Sequence, residues 1–327
     1  MLKAVKNIFA PLALSAVLFS FAASVFAEEY VIPSGECIGV KMYTDGLIVV
    51  GTAEVTDRSG KTVDPSEKSG ISKGDIIKKI NGKDAVSNET VSEVLSSVSG
   101  DVTVTVEKNG KEHEVSITPA DTESGPKLGL WLRDSTAGLG TLTYTTDTGF
   151  AALGHAICDV DTGSIMPIER GFIQNCTITS ISKGKAGEPG AITGDINGSE
   201  LGRITKNTNY GIFGELDIQP SGTPVPVADR SEVRTGDAVI LADADGKGVK
   251  EYTIKIKRVT LPSGSGKDMV IEVTDNDLID LTGGIVQGMS GAPILQNGKF
   301  VGAVTHVFVN DPLSGYAILA ENMLNSD

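Results

Sequence analysis

Gly288-Met289-Ser290-Gly291-Ala292-Pro293 leads into Ile294-Leu295, then the turn Gln296-Asn297-Gly298, then an apolar return run over residues 300–304. A glycine-flanked turn, a strand, a tight turn and a second strand outline a β-hairpin with a serine exposed at its mouth. The two glycines allow the main chain to fold back sharply. They also let the N–H groups of Gly288 and Ser290 point at one spot, as stabilisation of an oxyanion requires. Working outward, the same texture reaches back to Leu128, with short alternating strands such as residues 140–144 and 252–259 between Gly-, Asp- and Pro-rich turns. No clear amphipathic helix interrupts it before the last dozen residues. Roughly 200 residues of short strands predict a mostly β sandwich or barrel.

A serine at its ordinary pKa is a poor nucleophile and needs a neighbouring base. The chain has three histidines. His113 lies in a charged hairpin strand and reads as a surface residue. His155, in Ala152-Leu153-Gly154-His155-Ala156-Ile157, sits among small and apolar residues that would partly bury an imidazole. His306 ends the strand that returns from the serine hairpin. On chemistry alone His155 and His306 compete. The serine loop resembles that of chymotrypsin-like peptidases, whose histidine lies far upstream of the serine, and this chain order favours His155.

The region before residue 120 reads differently. Ser69-Gly70-Ile71-Ser72-Lys73-Gly74-Asp75-Ile76-Ile77-Lys78-Lys79-Ile80-Asn81-Gly82 resembles a PDZ signature, with Asn81-Gly82 supplying a tight turn. Residues 89–98 carry apolar positions at helical spacing, with Ser87 or Asn88 as cap. An alternating strand, the turn Asn109-Gly110 and a return strand follow. A PDZ unit (α+β) binds an extended peptide as an added strand and captures its carboxylate on a backbone loop. Cys37, Ile38, Gly39 and Val40 fall where that loop belongs, although Glu36 is an awkward neighbour for a carboxylate. The polar, proline-bracketed residues 119–127 read as a boundary. The expected division is therefore 1–27, a signal peptide or anchor; 28–120, a PDZ domain; and 121–327, a serine peptidase domain.

Taken together, the leader, the single PDZ-like unit, Gly154-His155, the string from Gly284 to Pro293 and Thr305-His306-Val307-Phe308-Val309-Asn310-Asp311-Pro312 resemble the sporulation stage IV protein B peptidase family. The resemblance implies a chymotrypsin-like serine endopeptidase of endospore formers, acting between the two spore membranes. It implies a membrane-associated regulator of an intramembrane protease as substrate, self-processing, and activation of a mother-cell sigma factor. Carried over by motif, His155 is the base, Ser290 the nucleophile and Asp275 the orienting acid. Asp277 and Asp280 lie close by, and Asp217 better suits the usual chymotrypsin-like spacing.

Composition narrows the alternatives. The net charge is −14, and loss of a leader carrying only Lys3 and Lys6 would make it −16. So acidic a body repels nucleic acid and anionic lipid heads. Residues 8–27 form an apolar stretch, with Val25 and Ala27 placed for signal-peptidase cleavage, so the rest of the chain is expected to leave the cytoplasm. Three cysteines, Cys37, Cys158 and Cys176, permit at most one bridge and do not say which. His155, Cys158 and Cys176 have a His-x-x-Cys element that zinc would accept with Asp159 or His306, but paired metal-binding spacing is missing. No metal or cofactor is therefore expected. The non-enzymatic alternative is an inactive secreted PDZ adaptor.

Overall fold

The computed structural model describes residues 29–260 and 266–326. The leader expected over residues 1–27 lies outside them. The chain runs through β1 (Tyr30–Pro33), β2 (Cys37–Thr52), β3 (Ile76–Ile80), α1 (Asn88–Ser96), β4 (Val102–Lys108) and β5 (Lys111–Ile117). It continues through β6 (Leu130–Thr145), β7 (Gly149–Ala152), β8 (Ile168–Ser182), β9 (Ala191–Thr208) and β10 (Gly211–Leu216). The last part holds β11 (Gly236–Ala242), β12 (Lys250–Val259), β13 (Met269–Val273), α2 (Asn276–Thr282), β14 (Pro293–Gln296), β15 (Lys299–Phe308), β16 (Asp311–Leu319) and α3 (Ala320–Leu324).

Two six-stranded rings form the body. In the first, β6 pairs with β7, β7 with β10, β10 with β9, β9 with β8, β8 with β2, and β2 returns to β6. Ile38, Val40, Leu142, Phe150, Ile173 and Ile212 fill it. In the second, β11, β12, β13, β16, β15 and β14 close a barrel around Ile240, Ile254, Ile271, Val304 and Leu319. Full closure removes the sheet edges that an acidic, helix-poor chain would otherwise expose. Tyr144 of the first ring meets Phe300 of the second edge to face, with ring centroids 5.5 Å apart. The expected mostly β, barrel-containing architecture is the one found.

The N-terminal unit packs α1 on β3, β4 and β5. Ser87 caps α1 by accepting from the Thr90 N–H, and Val91, Val94 and Leu95 turn into a core with Leu47, Ile77, Val102, Val104 and Val106. Asn81-Gly82, Asn109-Gly110 and Asn297-Gly298 all have both residues at positive φ, as two-residue hairpin turns demand.

Here the expected boundary gives way. β2 is one long strand serving both units: residues 47–48 pair with β3, while residues 38–44 pair with β8. A cut at 120 would therefore remove a wall of the first ring. Residues 119–127 are not an open linker either, since Ala120–Thr122 and Gly125–Lys127 pair with each other as a small hairpin.

The assignment of Cys37, Ile38, Gly39 and Val40 to a carboxylate-binding loop is corrected as well. Those residues lie within β2, facing residues 138–141 of β6 on one side, while residues 38–40 face 173–175 of β8 on the other. Backbone groups already paired in a ladder have no N–H left to offer a carboxylate. The edge of β2 over residues 48–52 is covered by the chain itself. Leu130 faces Thr52, Leu132 faces Val49 and Arg133 faces Ile48, and the two leucines pack on the core that holds α1.

Candidate active site

Ser290 sits on the loop between α2 and β14, and the loop's geometry follows from its glycines. Gly288 and Gly291 have φ of +101° and +97°, a region that L side chains avoid. A Cβ on Gly291 would stand 2.2 Å from the Thr141 carbonyl oxygen and 2.5 Å from the Leu153 nitrogen. Only glycine lets the loop of the second barrel lie this closely on the first.

Hydrogen bonds fix the loop's peptide planes. The Gln287 carbonyl accepts from the Ile192 N–H at 2.8 Å, and the Met289 carbonyl from the Ala292 N–H at 3.0 Å. Because the C=O and N–H of a trans peptide point in opposite directions, these bonds set the aim of the Gly288 and Ser290 N–H groups. Neither N–H has an acceptor among the described residues. From the first ring, Thr141 donates its N–H to the Ser290 carbonyl at 2.9 Å and its hydroxyl to the Gly288 carbonyl at 2.8 Å. Met289 is fully buried and anchors the loop in the second barrel's core.

His155 follows β7. Leu153 and Gly154 both take left-handed φ, +70° and +68°, and swing the chain so that His155 leaves the sheet. For Leu153, which carries a Cβ, that conformation costs about 1–2 kcal/mol. A Cβ on Gly154 would sit 3.0 Å from Thr305, which explains the glycine before the histidine. His155 Nδ1 lies 2.8 Å from the Ala156 carbonyl oxygen. That contact requires the proton on Nδ1 and leaves the Nε2 lone pair as acceptor, the tautomer a general base needs. Burial holds the His155 pKa below its ordinary value, so the ring is neutral at neutral pH.

His155, Ser290 and Gly288 line one cleft of about 300 Å³ between the two rings, together with Val40, Leu139 and Leu153. Within it the Ser290 hydroxyl donates to the Thr305 carbonyl at 2.8 Å, and no hydrogen bond joins it to His155. His306 reaches the site too. Its ring centroid is 5.0 Å from that of His155, and burial, the His155 charge and Lys267 push its pKa down to about 4. The two histidines that compete on sequence grounds therefore meet in space.

The carboxylates lie elsewhere. Asp275 is the N-cap of α2, accepting from the Leu278 N–H at 3.1 Å and the Thr253 N–H at 3.1 Å. Asp277 lies in the first turn of α2, the Asp280 carbonyl accepts from Lys183, and Asp217 is exposed on a separate surface with Thr146 and Gln219. Among the described residues the recorded partner of His155 Nδ1 is a main-chain carbonyl. Of the residues weighed for zinc, Cys176 lies against Cys37, and Asp159 is buried against Arg133 at 2.5 Å.

Arg133 is a site-supporting residue that sequence reading missed. It clamps both Asp159 and Asp161, just beyond the His155 loop. Its only sequence signal is an Arg-Asp pair interrupting an otherwise uncharged strand.

No curated protein sequence matches the chain. Among solved structures it is similar to the Rv3671c protease of Mycobacterium tuberculosis. The active form shows 15% identity and a TM-score of 0.37 over 58% of this chain and 72% of that one. The inactive form shows 14% and 0.32 over 57% and 81%. The profile of the SpoIVB peptidase S55 family matches residues 124–324, from the Gly125 hairpin to the end of α3. On that match, which takes in His155, His306 and Ser290, this chain is a serine peptidase and belongs to the SpoIVB peptidase S55 family.

Proposed function

We propose that this peptidase is an exported signalling protease that works between the two membranes of the forespore, cutting a membrane-associated regulator and so releasing an intramembrane protease that activates a mother-cell sigma factor. The observation that carries the chemistry is the shared cleft of Ser290 and His155. Substrate entry turns the Ser290 hydroxyl from the Thr305 carbonyl towards His155 Nε2. The imidazole takes the proton as oxygen attacks the scissile carbonyl, and the Gly288 and Ser290 N–H groups receive the oxyanion. His155 then returns the proton to the leaving amine, and water repeats the sequence to free the acyl group. Family resemblance and the leader support the location and the regulator.

The N-terminal unit supplies selectivity. A peptide partner of this unit takes the place of residues 130–133 beside β2, presenting apolar side chains at alternate positions as Leu130 and Leu132 do. Displacement would free Arg133 from Asp159 and loosen the His155 loop, coupling docking to the cleft.

The test is labelling of purified protein with a fluorophosphonate, followed by cleavage of a vesicle-anchored candidate regulator. Wild type should label and cut, and Ser290→Ala should do neither, because loss of a triad nucleophile costs about 10⁴- to 10⁶-fold. Labelling without cleavage would remove the proposed substrate and leave the peptidase. Substituting Leu130 and Leu132 with Ser should raise affinity for an added peptide, and unchanged affinity would remove the displacement step.

A further inference from the structure

Cys37 of β2 and Cys176 of β8 lie on neighbouring antiparallel strands. The register pairs Gly39 with Gln174 and Ile38 with Asn175, and its next step sets Cys37 opposite Cys176. Their sulfurs are 3.1 Å apart. Directly opposed residues in an antiparallel pair have Cα atoms about 4.5–5.5 Å apart, inside the window of about 4.4–6.8 Å that a disulfide accepts. Both residues are half-buried, so a small reagent reaches them, whereas Cys158 is exposed at the rim of the cleft.

We infer that Cys37 and Cys176 form a reversible disulfide site, with Cys158 left as the free thiol, and that the bond tightens the nucleophile loop. The structural route is short. Cys37 faces Thr141 across its other edge, and Thr141 holds the carbonyls of Ser290 and Gly288. A covalent tie between β2 and β8 fixes the strand against which Thr141 is registered. The contact between the two sulfurs also holds the Cys176 thiol below its ordinary pKa while pushing Cys37 up.

The oxidant is a small disulfide. The Cys176 thiolate attacks one of its sulfurs and expels one thiolate. Cys37 then loses its proton, attacks the Cys176 sulfur and expels the second thiolate. Two protein thiols and one small disulfide thus become one protein disulfide and two small thiols.

The experiment incubates the full chain with oxidised glutathione, alkylates with iodoacetamide, and reads intact mass and digested peptides. The expected result is a single alkylated cysteine, Cys158, with a peptide joining Cys37 to Cys176. Cys158→Ser should retain the link, and Cys37→Ser should lose it. Three alkylated thiols, a stable glutathione adduct, or a link through Cys158 would overturn the site. Fluorophosphonate labelling of Ser290 should be several-fold faster in the oxidised than in the reduced wild type, and equal in the two states of Cys37→Ser. Equal rates in wild type would overturn the coupling to the loop. The thiol readout needs no peptidase activity, so its outcome is separate from that of the proposed function.

Discussion

The imidazoles of His155 and His306 lie against each other, centroids 5.0 Å apart and planes inclined by 38°. Burial lowers both pKa values, and repulsion from a protonated His155 adds to it at His306, which falls to about 4. In the unfolded chain both titrate near 6.5. The folded protein therefore binds fewer protons than the unfolded one as pH falls below that value, and stability declines between about 6.5 and 4.

Activity should accordingly persist below pH 6.5 and show an acidic limb when His155 becomes protonated. A protonated His155 is part of what lowers His306 to about 4, so His155 takes up its proton first, and in His306→Gln the limb should stay where it is. The check is a pH profile of kcat/KM for both proteins. A limb that moves to higher pH in the variant would show that charge on His306 also opposes protonation of His155.

Asp275 holds the start of α2 and the edge of β12 through the N–H groups of Leu278 and Thr253. Asn caps helices about as well as Asp, whereas Ala costs about 1 kcal/mol. If capping is its whole task, Asp275→Asn keeps most activity and Asp275→Ala loses stability with kcat largely intact. If it orients His155 during catalysis, Asp275→Asn falls by about 10⁴-fold through the wrong tautomer. The geometry favours the first outcome, and kcat of the two purified variants decides it.

Thr141 grips the nucleophile loop with one main-chain and one side-chain bond. Thr141→Val preserves the strand but leaves the Gly288 carbonyl unsatisfied, at about 1–3 kcal/mol. Once the peptide plane shifts, oxyanion donors lose their aim, and a lost donor costs about 10²- to 10³-fold in kcat. KM should change little. A rise in KM with kcat retained would place Thr141 in substrate binding instead.

The features legible in sequence were those governed by local chemistry. Asn81-Gly82, Asn109-Gly110 and Asn297-Gly298 announce hairpins because few other residue pairs accept two positive φ angles. Ser87 announces α1, and Gly288 and Gly291 announce the sharp serine turn. The seven-residue α2 was missed, since two turns carry too little periodicity to read. The dual use of β2 was missed as well. Its sequence, Cys-Ile-Gly-Val-Lys-Met-Tyr-Thr-Asp-Gly-Leu-Ile-Val-Val-Gly-Thr, looks like a loop followed by a strand, and only the pairing partners show it serving two units. Partners distant in sequence also decide what His155 Nδ1 meets, which no motif spacing could fix.

The same long-range pairing bears on where the mature chain begins. Residues 28–34 suit self-processing on sequence grounds, being extended around Pro33 between the leader and the first unit. Within the described residues this segment is β1, with Ile32 and Pro33 paired to Thr145 and Tyr144, and Tyr30 and Val31 paired to Pro226 and Val225. Val31 is buried. A protease cleft accepts an extended strand with both edges free, so bonds inside β1 become substrates only after β1 leaves the sheet. Cleavage in the folded protein should therefore fall before Tyr30, whichever enzyme performs it. N-terminal sequencing of wild type and Ser290→Ala checks both questions at once. An extended N-terminus confined to the serine variant would establish self-processing, and identical termini would assign the cut to another peptidase. A wild-type chain beginning within residues 31–34 would show that β1 is released before the enzyme matures, contrary to the buried strand seen here.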